Sequence, residues 1–373
     1  MRILFLCRSF SYGGAERQLA LLAAGLHRRG HDVYILTFYN DAELAGPLKE
    51  AGVPILSLRK QNRWDLVGFF LRLAKIVRAL KPDVIHGYMS VANILAVSCR
   101  LFTPARIAIG IRASNMDLSH YDWLHRLSTF VEGRVARFAH ITIANSQSGA
   151  MAAQHRGFPG DRMVVVPNGI DTSRFSPAIL PDRSFRQRWG IPTDAILIGQ
   201  VGRIDPMKDH STFLRAARLV TDQEPLARFV CIGVGSVSYQ EQLAALAADL
   251  SLSDRVSWVG SVSQMPAAYA SLDLLCSSSR FGEGFSNVLG EALACGILCV
   301  ATDVGDARLL LENIGEVVAP GDATALAAAM LRTIRLPARE RTERIRRGVE
   351  RIETLYREDA LVERTVLALT RIV

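Results

Sequence analysis

The residues best placed to do chemistry are two glutamates with seven residues between them. Glu283 and Glu291 lie inside the run Arg280-Phe281-Gly282-Glu283-Gly284-Phe285-Ser286-Asn287-Val288-Leu289-Gly290-Glu291-Ala292-Leu293-Ala294-Cys295-Gly296. Gly282 and Gly284 make a pliable loop around Glu283, Ser286 or Asn287 can cap a helix, and Gly296 can end it. Glu291 then falls within that helix. Eight helical steps are about 12 Å of rise, too far for the acid and base of a simple hydrolase but suited to gripping two parts of one extended ligand.

A second group is cationic. In Gly202-Arg203-Ile204-Asp205-Pro206-Met207-Lys208 two positive side chains follow an expected strand, where open α/β sheets present ligand contacts. Together they can neutralise a diphosphate by charge-assisted hydrogen bonds; ordinary surface charge is the alternative. Gly13 and Gly14 stand between the first strand and first helix, where backbone N–H groups can approach an anion. A tight turn without a ligand accounts for them equally well, with Glu16 favouring the first helical turn. No Asp-x-Asp pair occurs in the chain, which removes the usual carboxylates for a Mg²⁺- or Mn²⁺-bound diphosphate. No metal is therefore expected, and positive charge must come from side chains. The six cysteines form no C-x-x-C pair and read as reduced core thiols.

The elements that must position these groups alternate. Ile3–Cys7 reads as a strand, followed by the glycine pair and a helical pattern that stops at Gly30. Further strands are expected at Asp32–Phe38, Val53–Leu58, Val84–Tyr88, Arg106–Ile111, Ile141–Asn145 and Met163–Val166, with helices between most of them. Pro167, Asn168, Gly169, Pro177, Pro181 and Pro192 interrupt the alternation. It resumes with strands near Ala195, Phe229, Val256, Leu272 and Leu298. This order predicts an α/β protein of two doubly wound, Rossmann-like domains, since 373 residues exceed one ordinary core. The expected boundaries are 1–170 and 171–355 for the two domains, and 356–373 for a helix crossing back to the first.

Apolar residues make up 49% and charged residues 21%, ordinary for a folded chain without a long disordered tail. No run of about 18 uncharged apolar residues is present, and Arg8 comes too early for a signal peptide, so a cytoplasmic location is expected. Residues 1–175 carry 22 Lys and Arg against 12 Asp and Glu, a net +10, whereas 176–373 carry 22 against 24, a net −2. No basic-aromatic ladder or zinc finger makes nucleic acid a partner; an anionic membrane or phosphate fits the basic half better. Residues 59–75 and 120–137 set aromatic side chains beside cations as interfacial helices do. Plain packing of the stripe Leu66, Phe69, Phe70, Leu73, Ile76, Val77 and Leu80 is the alternative for the first.

The glutamate segment, in the setting GEGFSNVLGEALACG, resembles the E-x7-E signature of retaining glycosyltransferase family 4. VVVPNGIDTSRFSP resembles that family's interdomain connection, GRIDPMKDH its phosphate-binding segment, and VATDVGD the strand and turn after the signature. The likeness is strong from about Ala195 to Gly321 and looser over 1–170, where GGAE and PDVIH are recognisable. It implies the glycosyltransferase B fold, two domains facing a cleft, with 1–170 the acceptor-binding domain and 171–355 the donor-binding domain that holds most of a nucleoside diphosphate sugar. Glu283 would bond sugar hydroxyls, Glu291 the ribose, and Arg203 and Lys208 the diphosphate. Gly13, Gly14 and Gly202, with backbone groups from Gly284, Phe285, Ser286 and Asn287, would complete the donor site, and the base would stack near Gly260–Val262. The resemblance also implies retention of configuration without a metal or other cofactor, and a glycan or lipid-linked acceptor in cell-surface polysaccharide or glycolipid synthesis, while the basic first half suggests the inner membrane face as its place. UDP is favoured over GDP as the carrier.

One departure matters. Where many family members have a His-Asp pair, this chain reads Gly110-Ile111-Arg112-Ala113-Ser114-Asn115. Arg112, His86 and His120 are therefore the acceptor-side candidates, a structural role being the alternative for either histidine. Other functions remain open: a nucleotide-sugar epimerase of the same fold, or a non-catalytic sugar-nucleotide sensor. A NAD-dependent dehydrogenase is disfavoured because Gly233-Val234-Gly235 continues to Ser238 where its third glycine belongs.

Overall fold

The computed structural model describes all residues except 11–12, 41–44, 63, 115–122 and 180–182. The chain divides into two compact units, Met1–Gly169 with Glu358–Val373, and Ile170–Arg357.

The first unit has seven strands: β1 (Arg2–Cys7), β2 (Asp32–Thr37), β3 (Ile55–Ser57), β4 (Val84–Tyr88), β5 (Arg106–Ile111), β6 (Ile141–Ala144) and β7 (Met163–Val165). They lie parallel in the order β3-β2-β1-β4-β5-β6-β7. Ile3, Leu4, Phe5 and Leu6 of β1 are all buried, as a central strand covered on both faces requires. The sheet order reverses between β1 and β4, so the ends of these strands form a switch point of the kind where open α/β sheets bind ligands. The helix Glu358–Thr370 belongs to this unit. Its Leu361, Val362, Ala368 and Leu369 join the core with Leu19, Leu22 and Leu26 of the Gly14–Arg28 helix. Gly25 permits that contact, since a β-carbon there would collide with Val362.

The second unit contains β8 (Ile196–Val201), β9 (Ala227–Ile232), β10 (Val256–Trp258), β11 (Leu274–Ser277), β12 (Cys299–Thr302) and β13 (Glu316–Val318). The order is β10-β9-β8-β11-β12-β13, again parallel, with its reversal between β8 and β11. Sequence patterning does not reveal β13, because a three-residue strand that is only half-buried carries no readable alternation. The proline-interrupted connection also contains a short helix, Arg183–Arg188. Its Arg186 donates to the Ser271 and Ala195 carbonyls (2.9 Å each) and to Asp273 Oδ2 (3.0 Å), tying the connection to the sheet. All six cysteines are buried and none is joined in a disulfide, and burial pushes thiols such as Cys99 up to about 12, which suppresses thiolate chemistry.

Candidate functional site

In the second unit the candidate residues gather where β8 and β11 end, at the switch point. The chain leaves β8 through Gly202, whose φ of +145° and lack of a β-carbon matter together: a β-carbon would stand 3.0 Å from Lys208 Cε. A single turn, Pro206–Lys208, then follows, with Asp205 Oδ1 accepting from the Lys208 N–H at 3.2 Å. The Lys208 carbonyl is fixed by Gln200 Nε2 (2.8 Å) and Ser278 Oγ (2.9 Å). The lysine backbone is thus held from both neighbouring strands.

Its ammonium meets Glu283. Lys208 Nζ lies 2.5 Å from Glu283 Oε1, with the side chains only 13% and 12% exposed, and Ser279 Oγ donates to the same oxygen at 2.7 Å. Burial pushes the Glu283 carboxyl up, but the Lys208 charge and hydrogen bond, the Ser279 bond and the Arg203 charge together hold it below the ordinary value. The glutamate loop is secured beneath by Gly305: Asp306 N–H donates to the Gly284 carbonyl at 3.0 Å, and a β-carbon on Gly305 (φ +66°) would clash with that carbonyl. Arg203 acts electrostatically on the same carboxylate but is 69% exposed and is held by Asp205 Oδ2 at 3.2 Å. The two cations therefore converge on Glu283, one locked and one loosely tethered.

Glu291 lies on the next helix, Asn287–Ala294, and is buried. The hydroxyl of fully buried Tyr269 donates to its Oε2 at 2.8 Å. Ser286 occupies the cap position of that helix, yet its side chain makes no capping bond; its Oγ is buried without a hydrogen-bond partner, a hydroxyl left over for a ligand. The Phe285 side chain packs in the core against Tyr356, so only its backbone faces the candidate site's chemistry. Asn287 and Val262 are half-buried. Sequence reasoning missed Tyr269, Gln200, Ser278 and Ser279. The run Ser277-Ser278-Ser279 between an expected strand and Glu283 was a usable signal; Tyr269 had none.

The first unit holds the remaining candidates. Gly13 caps the Gly14–Arg28 helix through its backbone alone, and the Glu16 carboxylate folds back over it, so an anion at this terminus would have to displace Glu16. His86 lies inside β4 and Arg112 directly after β5, whereas His120 lies outside the described residues. Among the described residues no group of three or more His, Cys, Asp or Glu could hold a metal ion, and no helix is long and apolar enough to cross a membrane.

Two parallel-sheet Rossmann-like units, with charged residues gathered at the second switch point, define the class: this is the glycosyltransferase B architecture. The model for Glycosyltransferase Family 4 matches residues 12–174, and that for Glycosyl transferases group 1 matches residues 181–351. The chain belongs to this family. It is similar to the D-inositol 3-phosphate glycosyltransferase of Thermomonospora curvata, 34% identical over 250 residues that make up 62% of this chain and 57% of that protein. The chain thus spans little more than half the length of that relative. It is also similar to the N-acetylgalactosamine-N,N'-diacetylbacillosaminyl-diphospho-undecaprenol 4-alpha-N-acetylgalactosaminyltransferase of Campylobacter jejuni, 26% identical over 305 residues, 79% of each chain. Among solved structures, the Anabaena HepE protein in complex with UDP-glucose superposes with a TM-score of 0.87 at 22% identity, covering 100% of both chains, a likeness of fold.

Proposed function

We propose that this protein is a retaining, metal-independent glycosyltransferase that moves a sugar from a nucleoside diphosphate to a hydroxyl of a glycan or lipid-linked acceptor. The observation that carries the reading is the convergence of Arg203 and Lys208 on Glu283 at the β8/β11 switch point, beside the helix that bears Glu291. In the reaction, Arg203 and Lys208 neutralise the departing diphosphate, Glu283 orients the sugar, and Glu291 holds the ribose. A diphosphate oxygen takes the acceptor proton on the face the leaving group vacates, so no separate protein base is needed. UDP is the favoured carrier, a choice supported by the UDP-glucose bound to the Anabaena protein, and the two named relatives support an acceptor bearing phosphate, free or lipid-linked. The place of action we assign is the cytoplasmic face of the membrane, in cell-surface polysaccharide or glycolipid synthesis. Trp123, Leu127 and Phe130, 70%, 48% and 58% exposed at helical spacing, lie close in sequence to Arg126, Arg134 and Arg137 and support peripheral contact with an anionic bilayer.

The test is incubation of the protein with UDP-sugars and lipid-linked or soluble phosphorylated acceptors in excess EDTA, reading product and anomeric configuration. Glycoside formation with retained configuration is expected. Conversion of the donor sugar without any acceptor would establish an epimerase instead, and abolition by chelator with rescue by Mn²⁺ would refute metal independence.

A further inference from the structure

Among the described residues Arg112 is a cation without a counter-charge. Its Nε is closed off from solvent and makes no hydrogen bond, and among the described residues its guanidinium forms no ion pair. The Tyr88 ring centroid lies 4.0 Å from the guanidinium carbon, so the face of the group is stacked while its Nε–H is unspent. Tyr88 ends β4 and Arg112 follows β5, so the pair sits at the carboxyl ends of adjacent central strands. Asn145, after β6, steadies the segment: its backbone N–H donates to the Ile111 carbonyl at 2.9 Å, and its Nδ2 reaches the Arg112 carbonyl at 3.5 Å.

A second unsatisfied group lies beside it. His86 is fully buried, and neither ring nitrogen has a hydrogen-bond partner. Gly110 separates the two: a β-carbon there would stand 3.3 Å from Arg112 Nε and 3.3 Å from His86 Nε2, so any larger residue would fill the space between them. Burial, reinforced by the Arg112 charge, keeps the imidazole well below its usual pKa and therefore neutral. It adds a hydrogen-bonding N–H without adding charge. Buried polar groups of native proteins are overwhelmingly satisfied, and a buried, unbonded guanidinium Nε beside an unbonded imidazole is costly unless something else completes them.

We propose that Arg112, with His86 beside it, forms an oxyanion pocket in the first unit that takes a terminal phosphoryl group carried by the acceptor. The guanidinium edge matches two phosphoryl oxygens in a fork, and the imidazole is placed to serve a third, which a carboxylate does not have. The assignment to the acceptor rests on the sugar-transfer reading; the pocket itself does not.

The test measures thermal stabilisation of the full-length protein by glycerol 3-phosphate, inorganic phosphate, acetate and, separately, UDP, in wild type, Arg112→Met and Arg112→Lys. Arg112→Met removes an unpaired cation at similar length, so its ligand-free melting temperature should equal or exceed that of wild type. Its affinity for glycerol 3-phosphate should fall roughly 10- to 100-fold, the scale of a lost charged hydrogen bond, with Arg112→Lys intermediate and acetate ineffective throughout. Equal binding of glycerol 3-phosphate by wild type and Arg112→Met, or no binding by wild type, would overturn the pocket. A response to inorganic phosphate alone would overturn the acceptor assignment. The UDP response should be unchanged by either variant; its absence from wild type would count against the donor reading and leave the pocket standing.

Discussion

The Lys208–Glu283 pair allows a structural and a chemical contribution to be separated in one experiment. Both side chains are close to nine-tenths buried and their charged atoms lie 2.5 Å apart, so removing either partner strands a charge. In Lys208→Met the carboxylate loses its strongest counter-charge, while the burial that pushes it up remains; in Glu283→Gln the ammonium is left in the same enclosed place. Breaking a buried pair costs about 3–5 kcal/mol, whereas neutralising both partners is often near neutral. The double variant should therefore regain on the order of 3 kcal/mol of the loss in urea denaturation at pH 8, a coupling far above the scatter between independent sites. At pH 5 the Lys208→Met deficit should shrink, because the freed Glu283 can escape by taking up a proton. Turnover should behave differently: Lys208→Met and the double variant should both remain about 10²- to 10³-fold below wild type, since a preorganised charge at the diphosphate is missing in both. Additive stability losses, or recovered turnover in the double variant, would refute the reasoning.

Two other outcomes are expected. His210 is fully buried with neither ring nitrogen bonded; burial and then the Lys208 charge push it down to about 4, against a smaller raising effect of Asp209. Its folded value lies below the unfolded one, so the unfolded chain binds the extra proton below about pH 6.5 and stability falls from there towards pH 4, by roughly 3 kcal/mol in all; His210→Leu should flatten the urea-midpoint slope between pH 7 and 5, and an unchanged slope would exclude this cause. Trp123→Ser with Phe130→Ser should release the protein from anionic vesicles in co-sedimentation at low salt without changing its melting temperature, and equal pelleting of wild type and variant would remove that surface from the membrane reading.

What could be read from the sequence was local. Strand, turn and helix follow one another with a period that survives in the residue pattern, so the strands near the two switch points, the Glu283 loop and the Glu291 helix could all be placed from spacing. The partners could not. Glu283 meets a lysine 75 positions earlier because β11 pairs with β8, and strand order within a parallel sheet leaves no mark on either strand. Tyr269 reaches Glu291 from an unremarkable apolar helix, Met265–Ala270. Ser286 shows the converse failure: its type and position announce a helix cap, yet its hydroxyl makes no capping bond. The stripe on Leu66–Leu80 packs as ordinary helix spacing predicts: Phe69, Leu73 and Val77 lie in the core, Phe70, Ile76 and Leu80 pack against it half-buried, and Leu66 is exposed.

The unequal tethering of the two cations has a consequence for how the proposed reaction proceeds. Lys208 is fixed by its backbone and its glutamate before any ligand arrives, and an ammonium has three donors, so it can keep one on Glu283 while offering others to a phosphate. Glu283 in turn keeps its second oxygen for a sugar hydroxyl, which couples the carboxylate that orients the sugar to the cation that receives the leaving group. Arg203, exposed and held by one neighbouring carboxylate, is free to exchange Asp205 for the diphosphate as charge builds there. The rigid member thus supplies preorganisation and the mobile member supplies adaptation to the departing group. Loss of Lys208 should accordingly injure both fold and chemistry, and loss of Arg203 the chemistry alone.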